Sequence, residues 1–219
     1  MSISRLAWLI LLIGIAPICS AGKTNSHAKL IKSFWELYML SYKGYGFFTA
    51  IYLALSLLVT RVLYPNFRLI RLPFFFRVKG KITGGRKLTT GVGCRFDVLE
   101  AHAELRLGEN VQINDYAHIA CAQSIYIGDN ALIASRVYIT DHDHDLSGTD
   151  LSGLRSEALS IKSTKIGAYC WLGEGVAILK GVTLGNGCIV GANAVVTKSF
   201  PENSVIAGVP AKLIGCNSR

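Results

Sequence analysis

The chain has 219 residues, enough for one sizeable domain plus an appendage. Its formal charge of +9 lies wholly in residues 1–80, where ten Lys/Arg face the single acid Glu36, while residues 81–219 balance at 13 of each sign. That distribution weighs against nucleic acid, which would want its cations on the folded domain, and no nucleic-acid partner is expected. A basic, apolar segment beside a neutral domain fits a membrane surface better.

In chain order, the first feature is residues 6–21, LAWLILLIGIAPICSA, after Arg5. A short apolar run ending in small residues is signal-like. It is short for a transmembrane span, and Pro17 interrupts a helix there. A second run, GFFTAIYLALSLLVT, covers 46–60 with Arg61 directly after it, and Lys23, Lys29, Lys32 and Lys43 lie between the two. Three readings compete: a cleaved signal, a hairpin anchor, and an interfacial helix over 30–63. Cations in the intervening loop keep that loop inside. The expectation is an apolar basic segment at 1–63, associated with the cytoplasmic side of the inner membrane. A lead-in with irregular first coils is expected over 64–106.

From residue 107 the sequence repeats in sixes. Written from Ile166, the blocks are IGAYCW, LGEGVA, ILKGVT, LGNGCI, VGANAV and VTKSFP. The first position is aliphatic throughout: Ile166, Leu172, Ile178, Leu184, Val190 and Val196. The fifth is small or β-branched: Cys170, Val176, Val182, Cys188 and Ala194. Gly recurs at the second position and is assigned to the tight corners. The same stride joins Leu107, Ile113 and Ile119, and again Ile127, Ile133 and Ile139. Neither a 3.6-residue helix nor a two-residue alternation yields a six. The period is that of a parallel β-helix, three flat faces to a coil, over residues 107–215. The 27-residue step from Ile139 to Ile166 is not a multiple of six, so a loop leaves the repeat over 143–163. Residues 216–219 are a tail. The six Cys show no CxxC, and Cys170 and Cys188 point inward in this register, as inert structural thiols.

These sixes resemble the hexapeptide-repeat O-acetyltransferases. The likeness is carried by 166–215, with its VVTK and AGVPAK stretches, by ENVQINDYAHIA and IGDNALIASRVYITDHDH, and by RLIRLPFFFRVKGKI and TTGVGCR. Within the family it leans towards the maltose/galactoside and surface-polysaccharide branches. The resemblance implies an all-β, left-handed parallel β-helix, assembled as a homotrimer. It also implies acetyl transfer from acetyl-CoA to a saccharide acceptor, at a sugar hydroxyl of a bacterial surface polysaccharide (O-antigen, capsule or exopolysaccharide) or its precursor, with no metal. A hydroxyl is a poor nucleophile, and a neutral imidazole suits its activation. His142 matches the family's catalytic base. His118 stands near a place where sugar-acetylating relatives often carry Asn. It joins Asn114, Asp115, Asp141 and His144 as acceptor-binding candidates. Asp141 has a second reading, orienting the imidazole as a carboxylate does in a triad. The resemblance carries CoA contacts to Glu174, Ala192, Thr197, Lys198 and Lys212, and Trp171 is placed along the CoA groove.

Two other classes remain open at this level. A β-helix can be a metal enzyme of carbonic-anhydrase type, for which His118, His142 and His144 could be counted, although zinc needs three well-placed ligands. It can also be a non-catalytic scaffold.

Overall fold

The computed structural model describes residues 46–144 and 159–217. The expectations for the first apolar run, for its basic loop and for most of the 143–163 excursion fall outside these residues. The chain divides into Met1–Ala50 and Ile51–Arg219, and the second unit holds all that follows except the first residues of the helix.

A helix, α1 (Phe47–Leu63), precedes six coils. Coil one is β1 (Leu69–Ile70), β2 (Phe75–Val78) and β3 (Lys81–Gly84), and coil two is β4 (Thr89–Thr90), β5 (Arg95–Val98) and β6 (Glu104–Leu107). Coil three is β7 (Gln112–Ile113), β8 (His118–Cys121) and β9 (Ser124–Ile127). Coil four is β10 (Leu132–Ile133), β11 (Tyr138–Thr140), the hairpin stem β12 (His142–His144) with β13 (Leu159–Ile161), and β14 (Thr164–Ile166). Coil five is β15 (Trp171–Leu172), β16 (Ala177–Ile178) and β17 (Thr183–Leu184). Coil six is β18 (Ile189–Val190) and β19 (Val195–Val196), closed by a bridge from Phe200 to Leu184. A final hairpin, β20 (Ser204–Ala207) and β21 (Lys212–Cys216), adds two strands.

The first strands of successive coils stack as face A, the second as face B and the third as face C, with parallel pairing along each. The fold is therefore a three-sided parallel β-helix. The first-position residues Ile166, Leu172, Ile178, Leu184, Val190 and Val196 are all buried inside it, and so are the fifth-position residues from Cys170 to Ala194. Each buried Ile or Leu removes about 1.5–3 kcal/mol of apolar exposure, so the prism is stabilised evenly along its axis.

Over residues 64–106 the coils begin at Leu69, whose strand pairs in register with Thr89, and they vary in length. The stride is hidden there by coil length: partners on face A lie 20 residues apart at Leu69 and Thr89, and 23 at Thr89 and Gln112. From Trp171 to Ile189 the step is the strict 18. The second-position glycines also do a different job. At Gly173 a Cβ would lie 2.7 Å from the backbone nitrogen of Ala192 in the next coil, so Gly permits close stacking. The left-handed turn falls two residues later, at Gly175, with φ +69°.

Face A is capped at both ends. Thr60 and Ser56 of α1 are buried, and Thr60 Oγ1 accepts a hydrogen bond from Ile70 N at 2.8 Å. The Tyr52 hydroxyl donates to Leu72 O at 2.7 Å. At the far end β21 pairs antiparallel with β20. An exposed parallel edge invites further strand pairing, and these additions limit it.

Candidate active site

The site forms where wide coils meet narrow ones, at the corner between faces B and C. Coils two and three carry four-residue strands there, so each corner holds two inward side chains per strand: Phe96 and Val98, then Ile119 and Cys121, all buried. In coil four the register puts Ile139 on Ile119 and Thr140 on Ala120, and Asp141 is the next residue along. An acid thus follows where Cys121 stands one coil below. Asp141 is fully buried. Its Oδ1 accepts from Ala122 N at 2.7 Å, and its Oδ2 accepts from Gln123 N at 2.8 Å and Ser124 N at 2.7 Å. These are the corner amides of coil three, whose ladder is broken because the chain above departs into β12. A buried amide left unpaired is costly, and a carboxylate can take several at once.

The same Oδ1 lies 3.0 Å from His142 Nδ1. His142 is half-buried and starts β12, with Thr140 Oγ1 3.3 Å from the same ring nitrogen. An ionised carboxylate only accepts, so Nδ1 carries the proton and Nε2 is the ring's acceptor. The arrangement gives an oriented imidazole able to take a proton at Nε2, backed by a carboxylate that is itself fixed by the fold. The Asp141 oxygens meet three backbone amides and the imidazole, inside the corner.

The excursion is pinned at its base. Thr164 Oγ1 donates to Thr140 O at 2.8 Å, and Lys162 N donates to Asp141 O at 2.8 Å. Asp143, on the opposite side of β12 from His142 and His144, lies 3.0 Å from Lys180 Nζ on the same corner one coil up. His144 is exposed on the stem.

His118 lies on face B beneath Tyr138, their rings 5.3 Å apart. Its Nε2 is 3.1 Å from Asp97 Oδ2, which leaves Nδ1 as the atom able to meet an acceptor. Asp97 is buried and also lies 2.8 Å from Arg95 Nε. Burial alone would raise its pKa, but hydrogen bonds from Arg95 and then His118, with the charges of Arg95 and Arg77, hold it below the usual carboxylate range. Asn114 and Asp115 stand at the opposite, A–B corner. Asp115 Oδ1 accepts from Val92 N at 2.8 Å and lies 3.4 Å from Arg71 Nη2, so its carboxylate holds the coil below. Within one chain this pair does not converge with His142.

The CoA candidates divide into groups. Thr197 and Lys198 lie exposed after β19, on the B–C corner of His142 and Lys180, with Lys198 Nζ 5.6 Å above the Phe200 ring. Trp171 projects from face A, half exposed, and Glu174 and Ala192 stack on the A–B corner, where Asn193 N donates to Glu174 O at 2.8 Å. Arg136 pairs with the Glu174 carboxylate. Lys212 sits exposed on β21. Among the described residues no three His, Cys, Asp or Glu are gathered as metal ligands, and His118 and His142 each face their own carboxylate.

Sequence reasoning missed Asp97, Arg95, Tyr138 and Lys180. Asp97 stacks under Ala120, which stacks under Thr140, a column visible only once the coil offset is known.

The family "Bacterial transferase hexapeptide (six repeats)" matches residues 163–198. The "Putative lipopolysaccharide biosynthesis O-acetyl transferase WbbJ" of Escherichia coli K12 is 45% identical over 178 residues, covering 78% of this chain and 90% of WbbJ. The galactoside O-acetyltransferase of the same strain is 36% identical over 114 residues, 51% of this chain and 54% of that one. A hexapeptide-repeat acetyltransferase from Vibrio cholerae, solved with acetyl coenzyme A, superimposes with a TM-score of 0.55 at 25% identity, covering 63% of this chain and 72% of the other. Its coils, its corner imidazole and a likeness to WbbJ that runs almost the whole length of that protein lead to one conclusion: the chain belongs to the hexapeptide-repeat O-acetyltransferases.

Proposed function

We propose that this chain transfers the acetyl group of acetyl-CoA to a hydroxyl of a bacterial surface polysaccharide or its precursor, with His142 as general base. The observation that carries the reading is the Asp141–His142 pair, whose carboxylate is fixed by three backbone amides while the imidazole is held at the edge of the coil. The acceptor oxygen attacks the thioester carbonyl carbon as its proton passes to His142 Nε2. The C–S bond then breaks, and the imidazolium returns the proton to the departing CoA thiolate. Asp141 keeps Nδ1 protonated and stabilises the imidazolium that forms between the two steps.

His118, through Nδ1, and His144, on the same side of β12 as His142, face the acceptor. Lys198 on this corner meets the CoA phosphates as a point charge. Trp171, Glu174 and Ala192 lie on a different edge of the prism from His142, so a pocket using both sets draws them from two copies of the chain. A cyclic homotrimer supplies three such pockets. The enzyme works on the cytoplasmic side of the inner membrane, where acetyl-CoA and a membrane-held precursor meet.

The test is His142→Ala. Turnover falls by about 10²–10⁴-fold while CoA affinity is retained, the range for a lost general base. Near-normal turnover in this variant refutes the assignment. Mass spectrometry of the surface polysaccharide with and without the enzyme identifies the acceptor through a lost acetyl group.

A further inference from the structure

α1 is mounted with its polar side inward. Tyr52, Ser56 and Thr60 are spaced by four; Ser56 and Thr60 are buried, the Tyr52 hydroxyl donates to Leu72 O and Thr60 Oγ1 accepts from Ile70 N. On another side Ile51, Leu55, Leu58 and Val62 follow the i, i+4, i+7, i+11 spacing of one apolar stripe. They are 43%, 56%, 55% and 70% exposed. A helix on a water-soluble domain turns such a stripe towards the core, so this one is built to be covered by something else.

The covering surface is indicated by charge. Between Glu36 and Asp97 the chain carries ten Lys/Arg and no acid at all. The edge strand β2 continues the pattern: Phe75, Phe76 and Val78 are exposed, with Arg77 among them and Lys79 and Lys81 just beyond. Tyr64, just after α1, stacks on Phe67 and on Phe76, each with ring centroids 5.5 Å apart, and so joins helix to strand. Arg77 and Lys81 are met by Asp97 and Glu104, which leaves Arg61 and Lys79 as the cations beside the leucines and aromatic rings, the chemistry of a lipid–water boundary. A second copy of this chain would bring the same cations to the contact and repel it. No helix among the described residues is long and apolar enough to cross a membrane, so the segment lies along the surface.

We infer that the outer stripe of α1, together with edge strand β2, docks on an anionic phospholipid bilayer. This names the surface behind the membrane location proposed above, and it does not depend on the chemistry at His142. Bound this way, the prism is held to the bilayer by its first coil.

The experiment is flotation of the full chain with phosphatidylethanolamine vesicles, with and without phosphatidylglycerol, alongside acetyl transfer to a soluble acceptor. The wild-type chain floats with phosphatidylglycerol vesicles and is released by salt. Leu55→Glu/Leu58→Glu lowers the floated fraction by about tenfold or more, with soluble-acceptor turnover unchanged, since neither residue touches the catalytic corner. Arg61→Glu/Lys79→Glu removes most of the phosphatidylglycerol dependence. Flotation of the leucine variant at the wild-type level overturns the inference, as does a fall in its oligomeric mass with flotation unchanged, which assigns the stripe to a second copy. If neither wild type nor variant transfers acetyl but flotation changes as stated, the catalytic reading fails and this one stands.

Discussion

Coils two and three differ from coils five and six in one measurable way. From coil five to coil six the step is 18 residues on faces A and B, with one inward side chain per short strand, whereas the earlier pair takes 20 to 23 residues and widens the B–C corner to hold two. The strict coils are repetitive and give every amide the same partner in the next turn. The wide coils cannot hand their extra corner amides to a narrower neighbour. Where the two gauges meet, a buried carboxylate takes those amides, and its second task is to hold the imidazole of His142. The step in coil width is thus what creates a place for an acid in an otherwise apolar prism.

The sharpest way to break this comparison is at the step itself. Asp141→Ala leaves three coil-three amides without acceptors and is expected to destabilise the chain by about 3 kcal/mol or more, read by urea denaturation. Asp141→Asn can accept through one oxygen only and places an amide donor against other donors. It should retain part of the stability yet depress turnover by more than tenfold, with a shifted pH profile because the Nδ1 proton is no longer held. An Asp141→Ala chain as stable as wild type would show that the wide corner needs no side-chain cap.

A smaller effect is expected two coils deeper, at Asp97. Its pKa is held below the ordinary range in the fold, so its stabilising contribution is present above the unfolded carboxylate pKa and is lost as pH falls through the folded one. Asp97→Asn should therefore cost about 1–3 kcal/mol near neutral pH, and the difference should close in acid, measured by denaturation at both pH values. A gap that stays constant with pH would remove the charge from the account.

Thiol labelling gives the smallest perturbation and compares both regions at once. Burial, and then the neighbouring Asp141 carboxylate, push Cys121 up to about 12, while the Cys188 sulfur and burial raise Cys170. Cys216 is exposed. At neutral pH a thiol reagent should modify Cys216 quickly and leave Cys121 and Cys170 unmodified until the chain unfolds, as mass spectrometry of digested protein would show. Rapid labelling of Cys121 would mean that the wide corner opens readily.

The strict coils were legible in the sequence because every inward position from Ile166 to Val196 keeps the six-residue stride. The departure after Ile139 was legible as a broken multiple of six. Coils one and two were not, since Phe96 and Leu107 are inward residues 11 apart and no fixed period joins them. Asp141 was placed with the acceptor contacts because an acid in a polar stretch reads as exposed, and only the pairing of β11 on β8 puts it inside. His142 could be picked out by resemblance, but the support beneath it comes from amides, which leave no residue-type signature. The run at 46–60 was legible as apolar, but not which of its sides meets the first coil: the structure buries Ser56 and Thr60 there.

The base of the excursion has a consequence for how such enzymes diversify. Thr140 and Thr164 are 24 positions apart in sequence, yet one hydrogen bond of 2.8 Å joins them, and coil four closes across that junction as if nothing had been inserted. The prism thus contains a splice point: beyond Asp141 and the β12–β13 stem that carries His142, the intervening segment can change in length while the stacking on either side keeps its register.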